Sequence, residues 1–228
     1  MLILALESSA KTASCALVRD GVLLAEYTQT IGLTHSRTLL PMVDTLLRNS
    51  EIAASELSCI AVAAGPGSFT GIRIGCATAK GLAYALDIET RAVSTLAAMA
   101  DYAAVWNDEP PLIVGSPYGK VIHPYILSCE MDARRGQLYN ALFRVTGNAV
   151  QRITPDRVIL REELEDEFAE FSSKNDTIIK SDRLSAVGVA LAAEATVPGE
   201  ANPVYLRKPQ AEREYEKRHN ILNNNRGG

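Results

Sequence analysis

A chain of 228 residues, 47% hydrophobic and 22% charged, has the material for one large domain or two compact lobes and the composition of an ordinary soluble globular protein. Its formal net charge of −4 argues against a protein that coats nucleic acid through its own phosphate contacts, so any RNA would be held mostly by something else. Four cysteines (Cys15, Cys59, Cys76, Cys129) lack Cys-x-x-Cys spacing and three histidines (His35, His123, His219) lack His-x-x-x-His spacing, which leaves reduced, buried thiols and no local zinc motif.

The predicted elements begin with Leu2-Ile3-Leu4-Ala5-Leu6, a continuous apolar run of the kind found in a strand buried on both faces, closed by the polar turn Glu7-Ser8-Ser9-Ala10-Lys11. Thr12 to Val18 and Val22 to Thr30 flank Asp20-Gly21, a hairpin signal, so three strands form a meander. Leu39, Leu40, Val43, Leu46 and Leu47 then mark one helical face, with Ser36 or Thr38 as cap and Pro41 either in the first turn or bending the helix. The apolar Ile60–Ala64 strand runs into Gly65-Pro66-Gly67-Ser68-Phe69-Thr70-Gly71-Ile72-Arg73-Ile74-Gly75, which reads as strand, glycine turn and a helix to about Leu86. It is neither a P-loop, since no Lys-Ser or Lys-Thr follows, nor the Gly-x-Gly-x-x-Gly of a dinucleotide site. Gly71, Gly75 and Ala79 recur every four residues and clear one helix face of side chains; either the helix's own sheet or a second subunit approaches it there.

A strand at Thr90–Val93 and a helix from Ser94 complete the order strand, strand, strand, helix, strand, helix, strand, helix. That order gives a mixed sheet with crossover helices, unlike a Rossmann domain, and matches one half of the actin and sugar-kinase architecture. The Pro/Gly-rich stretch from Asn107 to Gly119 reads as a bridge between lobes. Beyond it, Tyr125–Glu130 and Gln137–Val145 form a hairpin around Asp132-Ala133-Arg134-Arg135-Gly136, followed by a strand near 149–153, an acidic helix from Arg161, a strand at Thr177–Lys180 and an Ala-rich helix near 184–195. The expected division is an N-terminal lobe at 1–105, a linker or insert at 106–124, a C-terminal lobe at 125–210 and a frayed extension at 211–228. No run approaches the roughly 18 apolar residues of a membrane span and no signal peptide opens the chain, so a cytoplasmic protein is expected.

With these segments in order the chain resembles the TsaB (YeaZ) family, the smaller relatives of the TsaD-type threonylcarbamoyl transferases once grouped with glycoprotease-like peptidases. The resemblance runs from Met1 to about Ala211. It rests on Ile3–Ser9, on His35-Ser36-Arg37-Thr38-Leu39-Leu40-Pro41, on the glycine turn through Ala83, on Met131–Tyr139 and on Pro203-Val204-Tyr205-Leu206-Arg207. It implies an α/β, two-lobed actin-like ATPase (ribonuclease H-like) fold with mixed sheets and flanking helices. The implied role is in making N6-threonylcarbamoyladenosine at tRNA position 37.

In the transferase relatives a helix after the strand equivalent to Thr90–Val93 carries two metal-binding histidines four residues apart. Thr95 and Met99 fall there in this sequence, and both are poor ligands for a hard divalent ion. In active members of the fold the Asp of the second-lobe hairpin is followed by glycines that let amides close on phosphates, whereas Asp132 is followed by Ala133, Arg134 and Arg135. The resemblance therefore implies a noncatalytic scaffold without cofactor or metal. Its partners would be a TsaD-type transferase in a heterodimer and a TsaE-type ATPase in a larger complex, with a homodimer when alone and tRNA met only indirectly. The expected partner interface is Leu39, Leu40, Val43, Leu46, Leu47, Gly71, Gly75 and Ala79; Glu7, Ser8, Ser9, Asp132, Arg134 and Arg135 are the set for a weak nucleotide or anion contact. The alternative is a free-standing phosphotransferase using Glu7 and Asp132 as metal carboxylates, or a peptidase of the same fold.

Overall fold

The computed structural model describes residues 1–30, 34–105, 124–173 and 176–207. The linker expected at 106–124, apart from Pro124, and the extension at 211–228 lie outside the described residues, as do His123 and His219. Strand β1 (Leu2–Glu7) is buried along its whole length, as its apolar run requires, and pairs antiparallel with β2 (Ala13–Arg19), which pairs antiparallel with β3 (Val22–Gln29). On its other side β1 pairs parallel with β4 (Cys59–Gly65), and β4 with β5 (Glu89–Ser94), so the first sheet has the order β3-β2-β1-β4-β5.

Alternation along β1 decides what packs where. Leu2, Leu4 and Leu6 face one side, beneath α1 (His35–Asn49) and α2 (Phe69–Leu86). Ile3 and Ala5 face the other, where α5 (Ala186–Glu194) lies with Ala98 of α3 (Thr95–Val105). The opposite flank of α3, with Leu96 and Met99, packs on the second sheet, against Leu127, Cys129 and Phe143. That sheet runs β10-β6-β7-β8, with β6 (Tyr125–Arg134) and β7 (Gln137–Thr146) antiparallel and β10 (Thr177–Ser181) parallel to β6. Strands β8 (Ala149–Arg152) and β9 (Arg157–Leu160) pair with opposite ends of β7, and α4 (Arg161–Ser173) covers the far face through Leu164 and Phe168. The molecule is thus layered as helices, sheet, helices, sheet, helix. The strand order and senses of the first sheet are those of the actin-like, ribonuclease H-like lobe.

Three local findings differ from the sequence reading. The cap of α1 is Thr34, not Ser36 or Thr38, and Pro41 sits inside the helix, where its missing N–H leaves one carbonyl of the preceding turn without its intrahelical donor. Strand β9 was not expected, because four residues between a Pro turn and an acidic helix carry no readable period. Helix α5 follows the second sheet in the chain yet packs on the first. Gly188 makes that possible, since a Cβ there would lie 2.1 Å from the Ala98 carbonyl oxygen of α3.

Candidate functional site

Two regions carry the expected site residues: the α1–α2 layer and a cleft between the sheets. Helix α2 starts at Ser68, whose Oγ accepts from the Gly71 amide at 3.3 Å. The small-residue stripe that follows is spent within the chain. A Cβ on Gly71 would lie 2.0 Å from the Ser8 carbonyl oxygen, and one on Gly75 would lie 2.5 Å from Ser8 Oγ, which itself donates to the Gly71 carbonyl at 2.9 Å. Ala79 is likewise buried against the first sheet. The apolar face of α1 divides in the same way, with Leu39, Val43 and Leu46 at 1%, 2% and 4% exposure in the core, Leu47 packed at its margin and only Leu40 exposed, at 52%.

Of the eight residues expected at a partner face, Leu40 is exposed, Leu47 is half-buried and the other six are buried within the chain. Periodicity locates an apolar or small face but does not say what covers it, and here the chain's own first sheet does. Among the described residues, the outer surface of the same two helices stays exposed. On α2 it presents Arg73, Ala77, Lys80, Gly81 and Tyr84; Tyr84 is 91% exposed, and a Cβ on Gly81 would meet nothing within 4 Å. An exposed tyrosine one turn from a bare glycine was legible only as the polar side of an amphipathic helix, and sequence reasoning passed over it.

The cleft, of about 760 Å³, is lined on one side by the β1–β2 turn (Ser9, Ala10, Lys11) and the start of α2, and on the other by β6 and its hairpin (Glu130, Met131, Asp132, Arg134). Of the anion set, Ser9, Asp132 and Arg134 reach this cleft; Glu7 and Ser8 are buried and outside its lining, and Arg135 is exposed at the hairpin tip. Glu7 Oε1 accepts from the Ser9 amide at 2.5 Å while Oε2 has no protein partner, and burial pushes the carboxyl up to about 7 against the pull of that amide. At the hairpin, the Arg134 amide donates to Asp132 Oδ1 at 2.7 Å and the Ala133 carbonyl accepts from Arg207. The amides of Ser9 and Arg134, one from each turn, are thus committed internally and are not offered to an anion in the cleft.

Thr95 and Met99 lie at the start of α3, 0% and 1% exposed. Thr95 Oγ1 has no protein partner, and Met99 packs with Leu96 against the second sheet. Among the described residues no group of three or more His, Cys, Asp or Glu is gathered to hold a metal ion. Burial also pushes the thiol of Cys15 up to about 12 and that of Cys76 to about 11, with Cys59 and Cys129 raised in the same sense, so none is poised as a thiolate. The only histidine among the described residues, His35, places Nε2 2.8 Å from the Ala10 carbonyl oxygen. No described helix is long and apolar enough to cross a membrane.

Sequence reasoning missed a further cluster at the cleft's edge. Phe69 and Tyr205 stack with centroids 4.6 Å apart, and Arg73 lies 3.8 Å over the Phe69 ring while its Nε donates to the Tyr205 hydroxyl at 2.8 Å. Tyr205 and Arg207 belong to a motif the sequence had singled out, but only tertiary contact shows that it meets α2.

A family model described as TsaD, tRNA N6-adenosine threonylcarbamoyltransferase, matches residues 29–201. The tRNA threonylcarbamoyladenosine biosynthesis protein TsaB of Bacillus subtilis is 37% identical over 160 residues, which cover 70% of this chain and 62% of that protein. Its namesake in Escherichia coli is 30% identical over 164 residues, covering 72% and 64%. Both matches span less than two thirds of the relative's length. Among solved structures, one described as an uncharacterized protein with similarity to peptidase YEAZ from Pseudomonas aeruginosa superposes with a TM-score of 0.69 at 26% identity, covering 90% of this chain and 99% of that one.

Proposed function

We propose that this chain, which belongs to the TsaB (YeaZ) branch of the threonylcarbamoyltransferase family, is a noncatalytic scaffold that binds and activates a TsaD-type transferase in threonylcarbamoyladenosine biosynthesis on tRNA. The observation that carries the reading is the sealed state of Thr95 and Met99. The two helix positions where transferase relatives bear metal histidines hold a hydroxyl and a thioether, beneath a packed sheet where no reactant reaches. The partner docks on the outer face of α1 and α2, with Tyr84 as anchor on α2, Leu40 as the exposed apolar side chain of α1, and Gly81 and Ala77 admitting close approach of a facing helix. A homodimer forms on the same face when the transferase is absent, a TsaE-type ATPase joins the larger complex, and tRNA is met only through it, in the cytoplasm.

Isothermal titration against a TsaD-type transferase tests the docking face. Wild-type chain is expected to bind, and Gly81→Arg, which meets open space in the monomer, is expected to leave the fold intact and abolish the heat of binding. Undiminished binding by that variant would remove the face from the proposal.

The open cleft favours a second, weaker reading, in which Ser9, Asp132 and Arg134 contact a nucleotide or other anion, backed by Glu7 and Ser8 and with Arg135 at the rim. Titration with ATP and magnesium decides it, since tight binding with turnover by the isolated chain would replace the scaffold by an enzyme. The peptidase description attached to one structural relative finds little support in four raised thiols and a His35 engaged with a backbone carbonyl.

A further inference from the structure

The last described segment, 199–207, crosses from the first sheet to the second along the edge of the cleft. Its near end is fixed to β5, where Gly199 N donates to the Thr90 carbonyl at 3.0 Å and Thr90 Oγ1 donates to the Gly199 carbonyl at 2.6 Å. It then follows the end of β4, with Val204 N donating to the Ala64 carbonyl at 2.7 Å. The fit is close. A Cβ on Gly65, which has φ of +126°, would lie 2.2 Å from the Val204 carbonyl oxygen. Lys80 of α2 donates to Asn202 at 3.3 Å, and Phe69 and Arg73 of α2 hold Tyr205 by stacking and a hydrogen bond. Two residues later, Arg207 donates through Nη1 to the Ala133 carbonyl in the β6–β7 hairpin, on the opposite wall of the cleft.

We propose that segment 199–207 is a latch, with Tyr205 as its pin and Arg207 as its hook, which holds the β6–β7 hairpin against the first sheet and couples the width of the cleft to the outer face of α2. Arg207 and Tyr205 are positioning residues. Arg207 is the segment's guanidinium bond to the hairpin, and Tyr205 fixes where that guanidinium starts. The coupling follows from Arg73 and Lys80, which grip the segment from the exposed side of α2. A partner seated on that side would compete for them. This last step rests on the proposed docking face; the latch itself is a property of the isolated chain.

Hydrogen–deuterium exchange on the full isolated chain tests it. Arg207→Ala is expected to speed amide exchange in residues 130–139 by about tenfold, the effect of losing one hydrogen bond from a charged donor, while β1 and α1 exchange as in the wild type. Arg73→Met, on the far side of Tyr205, is expected to speed the same amides to a smaller extent, and Arg207→Lys, which keeps a donor, to restore protection. If Arg207→Ala does not fold, the Arg73→Met and Arg207→Lys pair carries the test. Unchanged hairpin exchange in Arg73→Met and Arg207→Ala would overturn the latch, as would acceleration spread equally over β1 and α1, the mark of general destabilisation. No partner enters the experiment, so failure of the transferase to bind would leave its outcome standing.

Discussion

Gly71 and Gly81 sit ten residues apart on one helix and have opposite reasons for lacking a side chain. At Gly71 a Cβ would collide with the Ser8 carbonyl oxygen at 2.0 Å, a backbone atom that cannot swing aside, so Gly71→Ala is expected to cost at least about 2 kcal/mol in urea denaturation. At Gly81 the space is open, and Gly81→Ala is expected to gain up to about 1 kcal/mol from helix propensity alone. The same variant should weaken transferase binding, because it adds a side chain where a facing helix approaches. Glu7 has its own signature. Its folded-state pKa of about 7 lies above its ordinary value of 4.5, so the native state holds the proton that the unfolded chain releases. Stability from this group is complete below pH 4.5 and is lost as pH rises through 7, by on the order of 3 kcal/mol. Asp101, raised by burial to about 6, slopes the same way, so Glu7→Gln isolates the Glu7 share: denaturation between pH 5 and 8 should flatten in the variant, and an unaltered slope would show that Glu7 is ionised in the fold.

At the scale of the element, adjacent leucines on α1 separate core from surface. Leu39→Ala should cost about 3 kcal/mol by opening a cavity against the first sheet, and Leu40→Ala should change stability by less than about 0.5 kcal/mol, both read from the denaturation midpoint. Reversal of that order would mean the helix presents a different face. The elements themselves were largely legible: the unbroken apolar run of β1, Asp20-Gly21 at the first hairpin, the glycine turn before α2 and the alternation of β7 each carry their structure in a local pattern. What was not legible depends on what lies opposite. The Gly71, Gly75 and Ala79 stripe looks the same whether Ser8 or another subunit approaches it, and only Gly188 hints that α5 returns to the first sheet. Strand β9 is too short for a period, and the Tyr205–Arg73 contact joins residues more than a hundred positions apart.

At the scale of the whole molecule, the described residues form five alternating layers around the two sheets and leave two surfaces with something to offer: the outer side of α1 and α2, and the cleft bridged by the 199–207 segment. In the second, the amides of Ser9 and Arg134 are used internally, and Thr95 and Met99 are buried in the interior where α3 packs on β6 and β7. The proposed function makes the first the working surface. Reconstituted threonylcarbamoylation of tRNA, with a TsaD-type transferase and its ATPase present and this chain added as wild type, Gly81→Arg or Asp132→Ala, tests that account most directly. Product is expected to form with wild type and with Asp132→Ala and to fall to the level without the chain for Gly81→Arg; full activity with Gly81→Arg, together with loss of activity in Asp132→Ala, would contradict it.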